Sequence, residues 1–323
     1  IMGTLPTESP AAGPSLLRMV FYNDRGLRAG WRLLIFAAML IAIVFGLQMA
    51  LRRAGPGGGF PATSGYGFPV LIGISDLVAF LIFLLVSWIM SRIERQRVAN
   101  YGLPLRKTTI TRFCTGWLFW GFLPLSIVLL IMRAFHVFYF GNLALHGRQI
   151  LVWGLIWGFA FLMVGLFEEY SLRGYALHTL ADGIGFWPAA IVLALVFARL
   201  HMGNSGETRI GVVATGFFAL FAAATLRATG DLWLAVGAHA GWNWGQSFFY
   251  GVNDSGMQAP GHLLNSTQQG PIWLTGGTVG PEGSVITLVL WALMMVLFLF
   301  LYRSKREAAM VMVPAESSGP PSV

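Results

Sequence analysis

Two adjacent carboxylates, Glu168 and Glu169, stand at the end of an apolar run, in the stretch LFEEYSLRGYAL. Charge is expensive there: a carboxylate at mid-bilayer costs on the order of 2.5–3.5 kcal/mol on insertion scales. Glu169 and Arg173 are four residues apart with the acid first, the favourable order for an ion pair along one helix face. Neighbouring helical residues point about 100° apart. Glu169 can therefore pair with Arg173 while Glu168 faces elsewhere with no local partner, which makes Glu168 the candidate for chemistry. The plain alternative is a juxtamembrane salt bridge with Glu168 turned to water.

Two further stretches carry chemistry-bearing side chains at helical spacing. In VFARLHMGN, Phe197 and His201 are four apart at the end of a short apolar run. In AVGAHAGWNWGQ, His239 and Asn243 are four apart, and Gly237, Gly241 and Gly245 repeat at the same interval. The two sets are offset by about 200°, giving one polar face and one small face suited to close helix packing. Each stretch read alone could be structural, a satisfied histidine or an interhelical hydrogen bond. Together, a Glu, two His and an Asn on three spans can position a water, remove its proton and hold an oxyanion. Alternatively Glu168, His201 and His239 could ligate zinc with a position open for water.

The rest of the chain must place these groups in a membrane. Of 323 residues, 56% are hydrophobic and only 11% charged, where a soluble protein carries about 25% charged. Mean hydropathy is +0.69. Eight apolar runs approach the roughly 20 residues a span needs: Trp31–Ala50, Phe68–Met90, Phe113–Met132, Gln149–Phe167, Phe186–Leu200, Ile210–Leu226, Leu232–Tyr250 and Ser284–Tyr302, the fifth being short. The expected fold is all-α, a polytopic membrane bundle of about eight transmembrane helices. Residues 1–30 read as a disordered start and a juxtamembrane segment, 31–302 as the membrane domain, and 303–323 as a basic, then disordered tail. The first apolar run lacks the pattern of a cleaved signal peptide and is expected to be a retained span.

The formal charge of +8 does not point to nucleic acid, because the cations sit in short segments between apolar runs and form no stripe with aromatics. Arg18, Arg25, Arg28, Arg92, Arg95, Arg97, Arg106, Lys107, Arg112, Arg303, Lys305 and Arg306 all fall on one side of an eight-span layout, while 251–283 has neither Lys nor Arg. The positive-inside rule makes the charged side cytoplasmic, with both termini there. The single cysteine, Cys114, excludes an intrachain disulfide and a Cys-based zinc site. No Walker, H-E-x-x-H or G-x-S-x-G sequence is present, and no internal repeat of the transporter kind. Asp76 inside the second span could shape a cavity or make a buried hydrogen bond. Arg227 and Asp231 are expected to form a local ion pair. One difficulty stands out: a straight fifth span beginning near Pro188 puts His201 about 20 Å deeper than Glu168, unless the spans tilt or the fourth extends further.

The three stretches resemble the CPBP family, the CAAX protease and bacteriocin-processing (Abi) intramembrane proteases. Its motifs E-E-x-x-x-R, F-x-x-x-H and H-x-x-x-N/D stand here in order as Glu168–Arg173, Phe197–His201 and His239–Asn243. GPEGS before the last span is also similar to bacterial members. The resemblance implies a helical CAAX-protease-like bundle in a bacterial plasma membrane. It implies a peptidase, glutamate-based or metal-dependent, that cuts a membrane-associated peptide or protein, lipidated in the eukaryotic case where prenylated CAAX proteins lose their last three residues. Glu168 would activate water with help from His201, His239 and Asn243 would hold the oxyanion, and Glu169, Arg173 and Phe197 would support the site. A non-catalytic binding or scaffold protein, such as one conferring bacteriocin self-immunity, is the competing expectation.

Overall fold

The computed structural model describes residues 20–23, 26–53 and 65–311, with side chains described as far as Tyr302. The disorder expected for 1–17 and for the end of the tail lies outside those residues. Among the described residues nine main helices follow one another: α1 (Ala29–Arg53), α2 (Gly67–Ile93), α3 (Thr109–Ala134), α4 (Arg148–Arg173), α5 (Tyr175–Ile184), α6 (Phe186–His201), α7 (Arg209–Thr229), α8 (Trp233–Trp244) and α9 (Val285–Val311). A wide π-helical stretch, Gly116–Phe122, lies inside α3, and another, Gly245–Phe249, prolongs α8. Strand is minimal among the described residues: two antiparallel two-residue pairs, one joining Phe138–Tyr139 to Thr267–Gln268.

Six of the eight expected spans are long and apolar enough to cross a membrane. The other two are α6, with 16 residues, and α8, with 12 before its π-helical end. These two short helices carry His201, His239 and Asn243. Helix α8 is buried from Leu234 through Trp242, so it is a core helix wrapped by the longer ones, the usual fate of an apolar helix of 10–14 residues.

Glycine fixes where α8 sits. A Cβ on Gly237 would lie 2.1 Å from the Phe113 carbonyl oxygen, and one on Gly241 2.1 Å from that of Trp117. Reciprocally, a Cβ on Gly116 would lie 2.1 Å from the Leu234 oxygen and one on Gly121 2.3 Å from that of Ala238. The two backbones therefore run in parallel at a distance no side chain would permit. With its small face on α3, α8 turns the opposite face, His239 and Asn243, towards α4 and α7. A second parallel pair, α2 on α4, interlocks through Gly73 under Phe159, Phe83 against Phe167 and Phe80 against Tyr170.

The depth difficulty disappears because the fourth span does not stop at Phe167. Helix α4 runs on to Arg173, breaks at Gly174, and continues as α5 to a turn at Gly185, whose φ of +87° suits a residue without a Cβ. From there α6 returns, packing on α5 through Leu177, Ala189 and Ala190. Glu168 precedes Gly185 by 17 residues and His201 follows it by 16. Arms of nearly equal length bring the two residues back to one level.

Away from the 251–283 loop, charges tie the bundle ends together. Arg32 on α1 bridges Glu94 at 3.4 Å and Asp182 at 2.8 Å, and the Tyr175 hydroxyl donates to Glu94. Asp231 pairs with Arg112 on α3 rather than with Arg227, whose guanidinium lies over the Phe186 ring instead. The expected local Arg227–Asp231 pair is thus replaced by a link between α3 and the α7–α8 turn, which nearness in sequence could not show.

Candidate active site

The buried pair Glu169 and Arg173 forms one turn of α4, with Nη1 to Oε2 at 3.1 Å. Glu169 is fully buried and Arg173 is 3% exposed. The other oxygen of Glu169 accepts from His239 Nδ1 at 2.9 Å across the α4–α8 contact. That hydrogen bond orients the ring and leaves His239 Nε2 facing Glu168 Oε2 at 3.6 Å. On α6, His201 Nδ1 donates to the carbonyl oxygen of Phe197, four residues back, at 2.9 Å. A carbonyl can only accept, so Nδ1 carries the proton, and Nε2 faces Glu168 Oε2 at 3.9 Å. The Phe197 ring lies against the His201 ring at 4.3 Å, and the Arg173 guanidinium sits 4.5 Å over the Phe197 ring.

Glu168 Oε2 thus has two imidazole nitrogens just beyond direct hydrogen-bond reach. It is shielded from solvent and has no hydrogen-bond partner among the described residues. A buried oxygen in that position calls for a bridging water. Glu168 lines a cavity of about 70 Å³ with His201, His239 and Asn243, walled by Phe197, Phe218, Trp242 and Trp291. Among the described residues Asn243 makes no hydrogen bond, so its amide is available to an occupant.

The segment after His201 is held from the other side. Thr208 caps α7 by accepting from Gly211 N at 2.9 Å and donates to the Gly283 oxygen at 3.1 Å. Glu207 accepts from Thr208 N at 2.7 Å, and burial pushes its carboxyl above the usual range. Loop 251–283 thereby closes over the α6–α7 turn and contributes Ser255 and Glu282 to the cavity. Sequence reasoning singled out neither; only the GPEGS resemblance touched Glu282. Asp76, on the face of α2 turned to α4, makes no hydrogen bond or ion pair among the described residues, so the buried hydrogen bond considered for it is not formed.

The donors a metal would use, Glu168, His201 and His239, do converge. Their separations of 3.6 and 3.9 Å exceed the about 3.3 Å between donors bound tetrahedrally to zinc at about 2.0–2.1 Å. Among the described residues no group of three His, Cys, Asp or Glu is set to hold a metal ion. As placed, Glu168 Oε2 and the two ring nitrogens stand at distances a bridging water would span.

A polytopic helical membrane protein with a Glu–His–Asn cavity among three of its helices, one of them a short buried one, is the class that fold and site define. Residues 151–245 match the family described as type II CAAX prenyl endopeptidase Rce1-like, which supports membership of the CPBP, or CAAX protease, family. No curated protein and no solved structure matches the chain. The matched segment runs from α4 to the π-helical end of α8 and contains all three motifs.

Proposed function

We propose that the chain is an intramembrane endopeptidase of the CAAX-protease type that hydrolyses a peptide bond with water activated by Glu168. The convergence of His201 Nε2 and His239 Nε2 on the unpartnered Glu168 Oε2, inside a cavity, carries this reading. A water held between Glu168 and His201 gives its proton to the carboxylate as its oxygen attacks the scissile carbonyl. The oxyanion accepts from the Asn243 amide, and from His239 Nε2 when that ring is doubly protonated between Glu168 and Glu169. Glu168 then returns the proton to the departing amine, so protons balance over the cycle. Arg173 neutralises Glu169 and stacks on Phe197, holding both histidines in place.

The substrate in this reading is a membrane-associated peptide or protein, and the cavity offers both polar groups and aromatic walls to a peptide segment. The test compares purified wild type and Glu168→Gln in detergent on a peptide panel that includes prenylated C-terminal peptides, with fragments read by mass spectrometry. Fragments from wild type alone are expected. Fragments from both proteins would remove Glu168 from the mechanism. None from either, with both folded, would turn the reading towards a binding or scaffold protein.

A further inference from the structure

Glu282 brings a carboxylate to the cavity wall that the hydrolytic scheme does not use. It stands on the Pro281–Gly283 turn ahead of α9, and its only hydrogen bond among the described residues is from Ser255 N to Oε1 at 2.7 Å. Burial first, and then the neighbouring Asp254 carboxylate, push its carboxyl well above the usual range, so its charge is favoured when a cation lies against it. Neither Glu282, Asp254 nor Glu207 forms an ion pair among the described residues, and neither Lys nor Arg lines the cavity. The covering loop, 251–283, contains neither Lys nor Arg, and its histidine, His262, is not among the cavity's lining residues.

The same cavity has aromatic walls. Trp291 packs on Trp242 at 5.2 Å and on Phe218 at 4.9 Å, and all three line the same cavity. Indole faces with an adjacent carboxylate attract an ammonium or guanidinium through quadrupole and charge together.

We infer that Glu282 is a specificity-determining residue of the cavity, and that the substrate presents to it a cationic group, a Lys or Arg side chain or a free amino terminus. This rests on the endopeptidase reading for the identity of the site. Glu282→Gln is the informative variant, because a glutamine oxygen still accepts from Ser255 N while the charge is lost. An effect of the charge is thereby separated from a collapse of the loop, and an unchanged melting temperature checks that separation.

The experiment selects a randomised peptide pool on immobilised Glu168→Gln and on Glu168→Gln/Glu282→Gln, and reads bound sequences by mass spectrometry. Expected is an enrichment of about tenfold for a basic group at one fixed position on the first protein, the worth of one partly buried charge pair, and its loss on the second. No enrichment, or equal enrichment on both, overturns the inference. The same pool is given to wild type for cleavage. Enrichment without cleavage overturns the peptidase reading and leaves the role of Glu282 standing. Cleavage with no basic group near the cut does the reverse.

Discussion

Substituting Gly237 by Ala tests whether the glycine seam between α3 and α8 sets the geometry of the site. The new Cβ would lie 2.1 Å from the Phe113 carbonyl oxygen, a backbone atom that no rotamer change can move. Ordinary carbon–oxygen contact needs about 3.2 Å or more, so the helices must part locally by about 1 Å. Alanine brings a helix-propensity gain of up to about 1 kcal/mol, but overpacking of this kind costs about 1–3 kcal/mol, and the clash prevails. His239 lies two residues on, and its 2.9 Å bond to Glu169 is made across the helix face opposite the seam. A displacement of about 1 Å at reacting groups can cost about a hundredfold in rate. Initial cleavage rates and thermal melting of Gly237→Ala and Gly158→Ala measure the effect. The Gly158 site is roomier, its nearest neighbour being Trp244 at 3.9 Å, so Gly158→Ala should be close to neutral. A Gly237→Ala protein as stable and active as wild type would refute the seam argument.

Arg173→Met should destabilise the protein by about 3–5 kcal/mol by stranding the buried Glu169 charge, and Glu169→Gln/Arg173→Met by much less; denaturant unfolding of both variants compares them. Asp254 is 3% exposed, and burial pushes its carboxyl up to about 7. Its contribution to stability is therefore full below about pH 4, the ordinary carboxylate range, and is lost as pH rises through 7, a few kcal/mol at most. Asp254→Asn should flatten the fall in melting temperature between pH 5 and 8, and an unchanged slope would contradict that assignment. The charge bias of the loops predicts that 251–283 lies outside the cytoplasm, in which case a cysteine introduced at Ser255 in a Cys114→Ser background reacts with a membrane-impermeant maleimide in intact cells. Labelling only after lysis would reverse the orientation.

What was legible in the sequence was what helical periodicity encodes. The four-residue spacing of Glu169 and Arg173 predicts their ion pair, and the 200° offset on α8 separates the glycine seam from His239 and Asn243. Apolar length locates the long helices. Span counting, however, treats every apolar run as a crossing, while α8 is a short helix buried by its neighbours and α6 a short one with an exposed apolar face, a distinction that depends on tertiary packing. The continuation past Phe167 was one of two resolutions the sequence left open, because Glu168, Glu169 and Arg173 read as the polar end of a span. In the fold these charges satisfy one another or face the cavity, so the helix need not stop there. Ser255 and Glu282 were out of reach because loop closure follows no period.

The site's arrangement gives a physical reason for the spacing shared by its three motifs. Each motif closes with a four-residue step, one helical turn, and in each the step joins two groups that must lie on one face. On α4 it pairs Glu169 with Arg173, so that a carboxylate can be buried and still hold His239. On α6 it lets the Phe197 carbonyl fix the protonated nitrogen of His201 while the Phe197 ring receives Arg173. On α8 it aligns His239 and Asn243 along the cavity. Glu168 alone lies off these pairs, a residue out of step with Glu169, and so it keeps an oxygen without a partner. A shift of one residue in any motif would turn a partner by about 100° and break the network, which is why the residue types alone, without this spacing, would not build the site.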